Sequence, residues 1–277
     1  MQKFLFVLSP PYSGSTVLWR LLSSAEAVSA LPTEGQMLPS VVPLLRGDHW
    51  NPEKPVPWEQ VRARWLETWD TSRAILLEKS PPNLVRAEAI ERYFDPAWFV
   101  LLSRDPYAFS EGYMRRKRCS ARVAAEFWLF CARWTLYNLD RLSRTLLITY
   151  EELVTEPAKA AARLSDFVPE LGVLSTDDSY RAHSIHGRGA RQLTDLNEIK
   201  IRQLSGRDIR EISAVLNEDV ATVRRLGYAA RAAGIKHDAQ HLWAVGSLRI
   251  SHFQERAVRL LARIRGSASS GATPRQR

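Results

Sequence analysis

The sequence has few of the features that mark secreted, membrane-spanning or disulfide-rich proteins. Only two of its 277 residues are cysteines, and Cys119 and Cys131 fall in one stretch of helical spacing, too far apart along a helix for a disulfide. No run approaches the roughly 18 apolar residues of a membrane span. The apolar run at residues 4–8 is too short for a secretory leader. We therefore expect a cytoplasmic protein with reduced thiols.

A uniform excess of basic residues is also absent. The formal net charge is +9, but residues 229–277 hold 9 Lys and Arg against 2 Asp and Glu, so the rest of the chain is close to neutral. A nucleic-acid groove would need a basic stripe on the folded body, so we expect no nucleic-acid partner. With 45% hydrophobic residues and 9 Trp, the chain can bury a large core.

Short apolar runs alternate with segments of helical spacing. We predict helices at residues 83–94 and 121–142, and another that opens at Pro106. This order is typical of the α/β class, with a doubly wound, mainly parallel sheet flanked by helices. The predicted strands are Phe4–Leu8, Val28–Leu31, Ala74–Leu77, Trp98–Leu102 and Leu146–Thr149.

Polar residues follow four of these strands, at the sheet edge where ligands bind in such folds. The first strand leads into Ser-Gly-Ser-Thr at residues 13–16, a turn before a helix that suits an anion. Glu34, Lys79 and Arg104 follow the next three strands. Each is an ordinary surface residue when taken alone, but their common edge indicates a site. The turn lacks the lysine of the ATP and GTP loop G-x-x-x-x-G-K-[ST], so its positive charge must come from elsewhere.

Two separated segments resemble a known family, the sulfotransferases that use 3′-phosphoadenosine 5′-phosphosulfate (PAPS). The stretch "LSPPYSGSTVLWRLL" is similar to the family's 5′-phosphosulfate loop, and "FVLLSRDPYAFSEG" is similar to its 3′-phosphate segment. Between them, "LLEKSPPNLVRAEAIERYFDPAWF" looks closer to the carbohydrate and tyrosylprotein branches than to the cytosolic aryl type. The resemblance covers about residues 3–228 and implies a P-loop nucleoside-triphosphate-hydrolase-like fold.

The resemblance implies cofactor-binding roles. Arg104 and Ser110 would bind the 3′-phosphate, and Arg188 and Arg191 of the closing loop "HSIHGRGARQLTDLN" would cover the phosphates. PAPS is the implied co-substrate and adenosine 3′,5′-bisphosphate (PAP) the product. The residues implied to hold the 5′ end are Tyr12, Ser13, Gly14, Ser15 and Thr16.

The chemistry explains the residue types. Sulfuryl transfer to a hydroxyl or amine needs a base for the acceptor proton and a cation for charge on the leaving oxygen. By analogy with branches whose base is a glutamate, Glu34 is the expected base, and Lys79 is the expected cation. The expected acceptor is a carbohydrate, lipid or other small molecule, and the chemistry needs no metal.

The loop departs from the family pattern at Tyr12. The family commonly carries Lys or Arg immediately before Ser-Gly, whereas a tyrosine brings no charge near neutral pH. Three interpretations remain open: Lys79 acts alone, Arg188 or Arg191 contributes the charge, or the chain is a weak or inactive relative.

Two other functions stay under consideration. The first is a small-molecule P-loop kinase, which is disfavoured by the missing loop lysine and by the lack of a clear strand ending in a magnesium-binding Asp. The second is a non-catalytic nucleotide-binding protein. The histidine pairs His183/His186 and His237/His241 lack the Cys or carboxylate partners of a zinc site, so we predict no metal site.

The remaining features concern the acceptor and the tail. The tryptophans of a Trp-rich helical insertion near residues 45–72 fit core packing or, as the alternative, an aromatic wall for the acceptor. The basic run at residues 115–118 fits a solvated face or a clamp for an anion. We divide the chain into a domain at 1–228 and a basic amphipathic helix with a flexible tail at 229–277. That helix would dock on its own domain, support a homodimer, or touch a membrane surface peripherally.

Overall fold

The computed structural model describes residues 2–176, 182–183, 190–191 and 195–232. A five-stranded, fully parallel sheet lies at its centre, with the strand order β2-β3-β1-β4-β5. The predicted α/β class with a parallel sheet is therefore confirmed. The strands are β1 (Lys3–Leu8), β2 (Val28–Ala30), β3 (Ile75–Lys79), β4 (Ala97–Ser103) and β5 (Thr145–Thr149).

The helices cover both faces of the sheet, as a parallel sheet with apolar strands requires. They are α1 (Ser15–Ser23), α2 (Trp58–Thr68), α3 (Ala87–Tyr93), α4 (Pro106–Lys117), α5 (Ala121–Arg141), α6 (Tyr150–Thr155), α7 (Pro157–Phe167), α8 (Asn197–Ile201), α9 (Gly206–Leu216) and α10 (Val220–Arg225). A short antiparallel pair, β6 (Ala182–His183) and β7 (Ala190–Arg191), stands apart from the main sheet. Within the described part of the chain, no helix combines the length and apolar character needed to cross a membrane.

The central strand β1 shows how the sequence builds the core. Its neighbours are β3 on one side and β4 on the other, with Phe4 opposite Leu76 and Ala97. Because side chains alternate along a strand, Phe4 and Phe6 face the cluster that contains α2 and α3. Leu5 and Val7 face the opposite cluster, formed with α1 and α7. The strand is thus buried on both faces, which fixes the position of the turn that follows it.

The tryptophans of α2 belong to the core. Trp58, Trp65 and Trp69 are all buried, and the Trp65 ring lies 6.3 Å from Phe6 and 5.3 Å from Phe94, measured between centroids. These are ordinary aromatic packing distances. The core-packing interpretation of this segment is therefore confirmed, and its indoles are unavailable as an exposed wall.

Two local predictions were wrong. The helix expected at residues 83–94 begins only at Ala87, after a separate 3-10 turn at Pro81–Val85. Within this turn the Asn83 amide donates to the buried Glu78 carboxylate, which ties this segment to β3. Cys119 does not share a helix with Cys131, since Arg118 ends α4 at a φ of 54° and the Ser120 hydroxyl caps the start of α5. Both cysteines are free.

The predicted C-terminal helix and tail, with His237 and His241, lie outside the described residues from position 233 onward. His186 also lies outside them, and His183 is in β6.

Candidate active site

The turn after β1 joins that strand directly to α1. Gly14 has a φ of 90°, and a Cβ there would lie 2.5 Å from the Tyr150 ring, so both the backbone and the space require glycine. The first turn of α1, which Ser15 and Thr16 begin, contains no acidic residue. The N-terminus of this nine-residue helix therefore keeps its positive dipole end for an anion.

Arg104 supports this turn from the end of β4. Its guanidinium is buried, donating from Nη1 to the Tyr12 carbonyl at 3.0 Å and from Nε to Asn197 Oδ1 at 2.8 Å. It also lies 3.8 Å above the Tyr150 ring. Tyr12 has a φ of 64°, a region that bulky residues rarely occupy. Arg104 thus helps to hold the turn in a strained conformation.

Three buried polar groups at this place have no hydrogen-bond partner among the described residues. They are the hydroxyls of Ser9 and Ser13, and Arg104 Nη2. Burial lowers the pKa of Arg104, while Tyr150 and Glu151 favour its charged form. Buried donors without acceptors are costly, and the oxygens of bound phosphate groups would satisfy such donors. The geometry therefore fits an anion at the turn.

Glu34 and Lys79 meet at the neighbouring strand ends. Lys79 Nζ donates to Glu34 Oε1 at 2.8 Å, although 45 residues separate them in sequence. Both side chains are half-buried, with 12% of Lys79 and 29% of Glu34 exposed. Gln36 Nε2 donates to the other Glu34 oxygen at 2.8 Å. A carboxylate and an ammonium are therefore held together at the end of β3, where Lys79 pairs with Val7 of β1 shortly before the turn.

The segment that carries Glu34 is fixed by Glu78. This carboxylate is fully buried and accepts from the Gly35 backbone N–H at 2.9 Å and from Asn83 Nδ2 at 2.7 Å. Ser80 donates to it as well, and the Gln36 N–H donates to the Ser80 hydroxyl at 3.2 Å. Burial raises the pKa of Glu78 to about 7, against the lowering effect of these hydrogen bonds.

Ser110 lies in α4 and is fully buried, and its hydroxyl donates to the Pro106 carbonyl at 2.6 Å. Its binding of a 3′-phosphate stays a prediction. The basic run at 115–118 is exposed at the other end of α4 from Arg104, and Arg115 pairs with Glu111 at 3.0 Å. These positions favour the solvated-face interpretation. Arg188 lies outside the described residues, and Arg191 lies in β7.

Sequence reasoning missed three residues of this region. Tyr150 directly follows β5, so extending the survey of strand ends to the fifth strand would have found it. Glu78 precedes Lys79 in a strand, where a buried charged residue is unusual. Lys200 contacts α4 from the distant α8, and no local pattern in the sequence indicates this contact.

Several solved structures are similar to this chain, and three of them are sulfotransferases or sulfotransferase domains. The sulfotransferase domain of the olefin synthase from Synechococcus PCC 7002 is 22% identical, with 77% of this chain and 94% of that chain covered, at a TM-score of 0.49. A sulfotransferase from Alicyclobacillus acidocaldarius is 17% identical, with 78% and 96% covered and a TM-score of 0.46. Mouse sulfotransferase SULT7A1 complexed with PAP is 12% identical, with 82% and 87% covered and a TM-score of 0.47.

No protein among the curated sequences matches this chain. A family model described as "Sulfotransferase family" matches residues 5–170, which include the turn after β1, Glu34, Lys79 and Arg104. Since the match spans more than half of the 277 residues, this chain belongs to the sulfotransferase family.

Proposed function

We propose that this protein transfers a sulfuryl group from PAPS to a hydroxyl or amine of a small-molecule acceptor, of the carbohydrate or lipid class. The observation that carries the proposal is the Glu34–Lys79 ion pair beside the anion-binding turn. A base and a cation within 2.8 Å of each other can serve the two ends of one in-line displacement.

The nucleotide would be held by groups that otherwise lack partners. The Ser13 hydroxyl and the N-terminus of α1 fit the 5′-phosphate, and Arg104 Nη2 fits the 3′-phosphate. Arg104 is suited to the second task because its other two nitrogens are already anchored, so little side-chain freedom is lost on binding. The orphaned donors thus match the two phosphates of this co-substrate.

Glu34 and Lys79 have different roles in the transfer. As the acceptor oxygen or nitrogen bonds to sulfur, Glu34 takes its proton. As the bond between sulfur and the phosphate oxygen breaks, Lys79 neutralises charge on that oxygen. Glu78 takes no part in bond making but holds Gly35 and thereby positions Glu34. The tyrosine at position 12 leaves Lys79 as the described cation nearest the base.

The test is an assay of sulfuryl transfer by the full chain. Purified protein is incubated with PAPS and a panel of sugars, glycolipids and phenols, and mass spectrometry detects acceptors that gain one SO3 group. Glu34→Gln and Lys79→Ala should each lower turnover by about a hundredfold or more, while PAP affinity measured by calorimetry changes little.

Glu59→Gln is the matched control, since it removes an exposed carboxylate from α2 and should leave turnover unchanged. Wild-type turnover in Glu34→Gln would show that another group is the base. Failure of the wild-type chain to bind PAP at all would refute the co-substrate assignment.

A further inference from the structure

Lys200 is a largely buried lysine that crosses from α8 to α4. Its side chain is 15% exposed, and Nζ donates to the Ala108 carbonyl at 3.3 Å. The same ammonium lies 3.3 Å from Glu111 Oε2. Lys200 therefore rests on the face of α4 that carries Ala108, Glu111 and Gly112, since these positions are three and four residues apart.

Gly112 makes the room for this ammonium. A Cβ at Gly112 would lie 2.5 Å from Lys200 Nζ and 3.7 Å from Tyr12 Cβ. Any side chain at position 112 would thus displace the amine from its position near the anion-binding turn. Ser110 lies two residues away, on the other side of the helix, with its hydroxyl on Pro106.

The charges around Lys200 are unusual for a structural lysine. Burial, first, and the nearby Arg104 guanidinium, second, lower its pKa to about 8. Glu111 opposes this effect, and Arg115 adds to it. Two cations, Lys200 and Arg104, are therefore brought close together out of water, and Arg104 Nη2 has no partner among the described residues. Such convergence is unfavourable by itself and is typical of an anion-binding site.

We propose that Lys200, reaching over Gly112, binds the 3′-phosphate of the nucleotide together with Arg104. This inference rests on the proposed function and adds a residue that selects PAPS and PAP over nucleotides without a 3′-phosphate. The ammonium leaves the weak 3.3 Å contact with Ala108 and donates to a phosphate oxygen, while Arg104 Nη2 donates to another.

Calorimetry on the full chain with PAP and with adenosine 5′-phosphate tests the inference. Lys200→Met should weaken PAP binding by about tenfold to a hundredfold, the usual effect of losing a charged hydrogen bond, and should change adenosine 5′-phosphate binding little. Lys200→Arg should retain most of the preference for PAP. Arg202→Met is the matched control, because it removes an exposed cation next to α8 and should leave both affinities unchanged.

The variants need a check on folding, since Lys200→Met leaves the buried Glu111 with Arg115 but without the ammonium near Oε2. The double variant Lys200→Met/Glu111→Gln removes the charge of that carboxylate and should show the same loss of PAP affinity. Gly112→Ala should also weaken PAP binding while adenosine 5′-phosphate still binds, because its methyl group displaces the amine.

The pH dependence gives a readout that a structural role would not produce. The groups facing the ammonium are Glu111 and Arg115 from α4, Arg104 from the end of β4, and Tyr12 from the turn. Wild-type affinity for PAP should fall as the pH rises above about 8, because Lys200 then loses its proton. Lys200→Arg should bind equally well across this range.

The outcomes separate the two proposals. If the wild-type chain binds PAP no better than adenosine 5′-phosphate, recognition of the 3′-phosphate and with it the proposed co-substrate are wrong. If the wild type prefers PAP and Lys200→Met keeps the same preference, the co-substrate assignment stands and the role of Lys200 is refuted.

Discussion

The buried carboxylate of Glu78 should give the protein a specific dependence of stability on pH. Its pKa is raised from 4.5 to about 7 by burial, so the folded state binds this proton more tightly than the unfolded state does. The group therefore stabilises the fold most below pH 4.5, and this contribution is lost as the pH rises to above 7. The difference corresponds to about 3 kcal/mol, at roughly 1.4 kcal/mol per pH unit.

Glu78→Gln removes the ionisation and keeps the shape. The variant should be less stable than the wild type by about 1–3 kcal/mol at pH 5, because its NH2 group replaces one acceptor oxygen and faces the donor of either Gly35 or Asn83. Between pH 5 and pH 8 this deficit should shrink by about 2–3 kcal/mol, since only the wild type pays for ionising a buried carboxyl.

Urea unfolding of both proteins at several pH values measures this difference directly. Comparing the two proteins cancels the opposite contribution of carboxyls such as Asp219, whose pKa is lowered by the hydrogen bond from Arg133. Glu59→Gln, on the exposed face of α2, should show no change in stability relative to the wild type across the range. A deficit for Glu78→Gln that stays constant from pH 5 to pH 8 would refute the raised pKa.

Three further predictions follow from packing and geometry. Trp65→Ala should lower the free energy of unfolding by about 3–5 kcal/mol in urea titrations, because this indole is fully buried beside Phe94; a loss below about 1 kcal/mol would contradict that. Gly14→Ala should weaken PAP binding in calorimetry by at least about tenfold, since its φ of 90° and the Tyr150 ring both disfavour a methyl group. Arg104→Lys should also weaken PAP binding, by about tenfold or more, because one amine cannot keep the two anchored nitrogens and also present Nη2 to a phosphate; unchanged affinity would remove Arg104 from the site.

The strands and their order in the sequence were predictable because their signal is local. Continuous apolar runs bounded by turn residues predict buried strands, and the five predicted strands match the observed ones to within two residues at either end. The position of Glu34, Lys79 and Arg104 at strand ends followed from the same reasoning, because the carboxyl ends of parallel strands share one edge.

Apolar spacing was insufficient where a specific side-chain or backbone feature competed with it. The start of α3 was misplaced because Asn83 donates to the buried Glu78 carboxylate five residues earlier, and residues 81–85 form a 3-10 turn although they have helical spacing. The break between α4 and α5 at Cys119 depends on Arg118 adopting a left-handed conformation, which its residue type does not favour.

The sequence by itself determined the class of fold and which polar residues follow each strand, including the turn after β1 and the expected base and cation, because these depend on periodicity and on the few residues after each strand. Only the tertiary structure decided how they meet. It paired Glu34 with Lys79, placed Tyr150 between Gly14 and Arg104, and brought Lys200 onto α4 across 92 residues of sequence. Such contacts arise from the packing of distant elements around a common core, so no local pattern of residues encodes them.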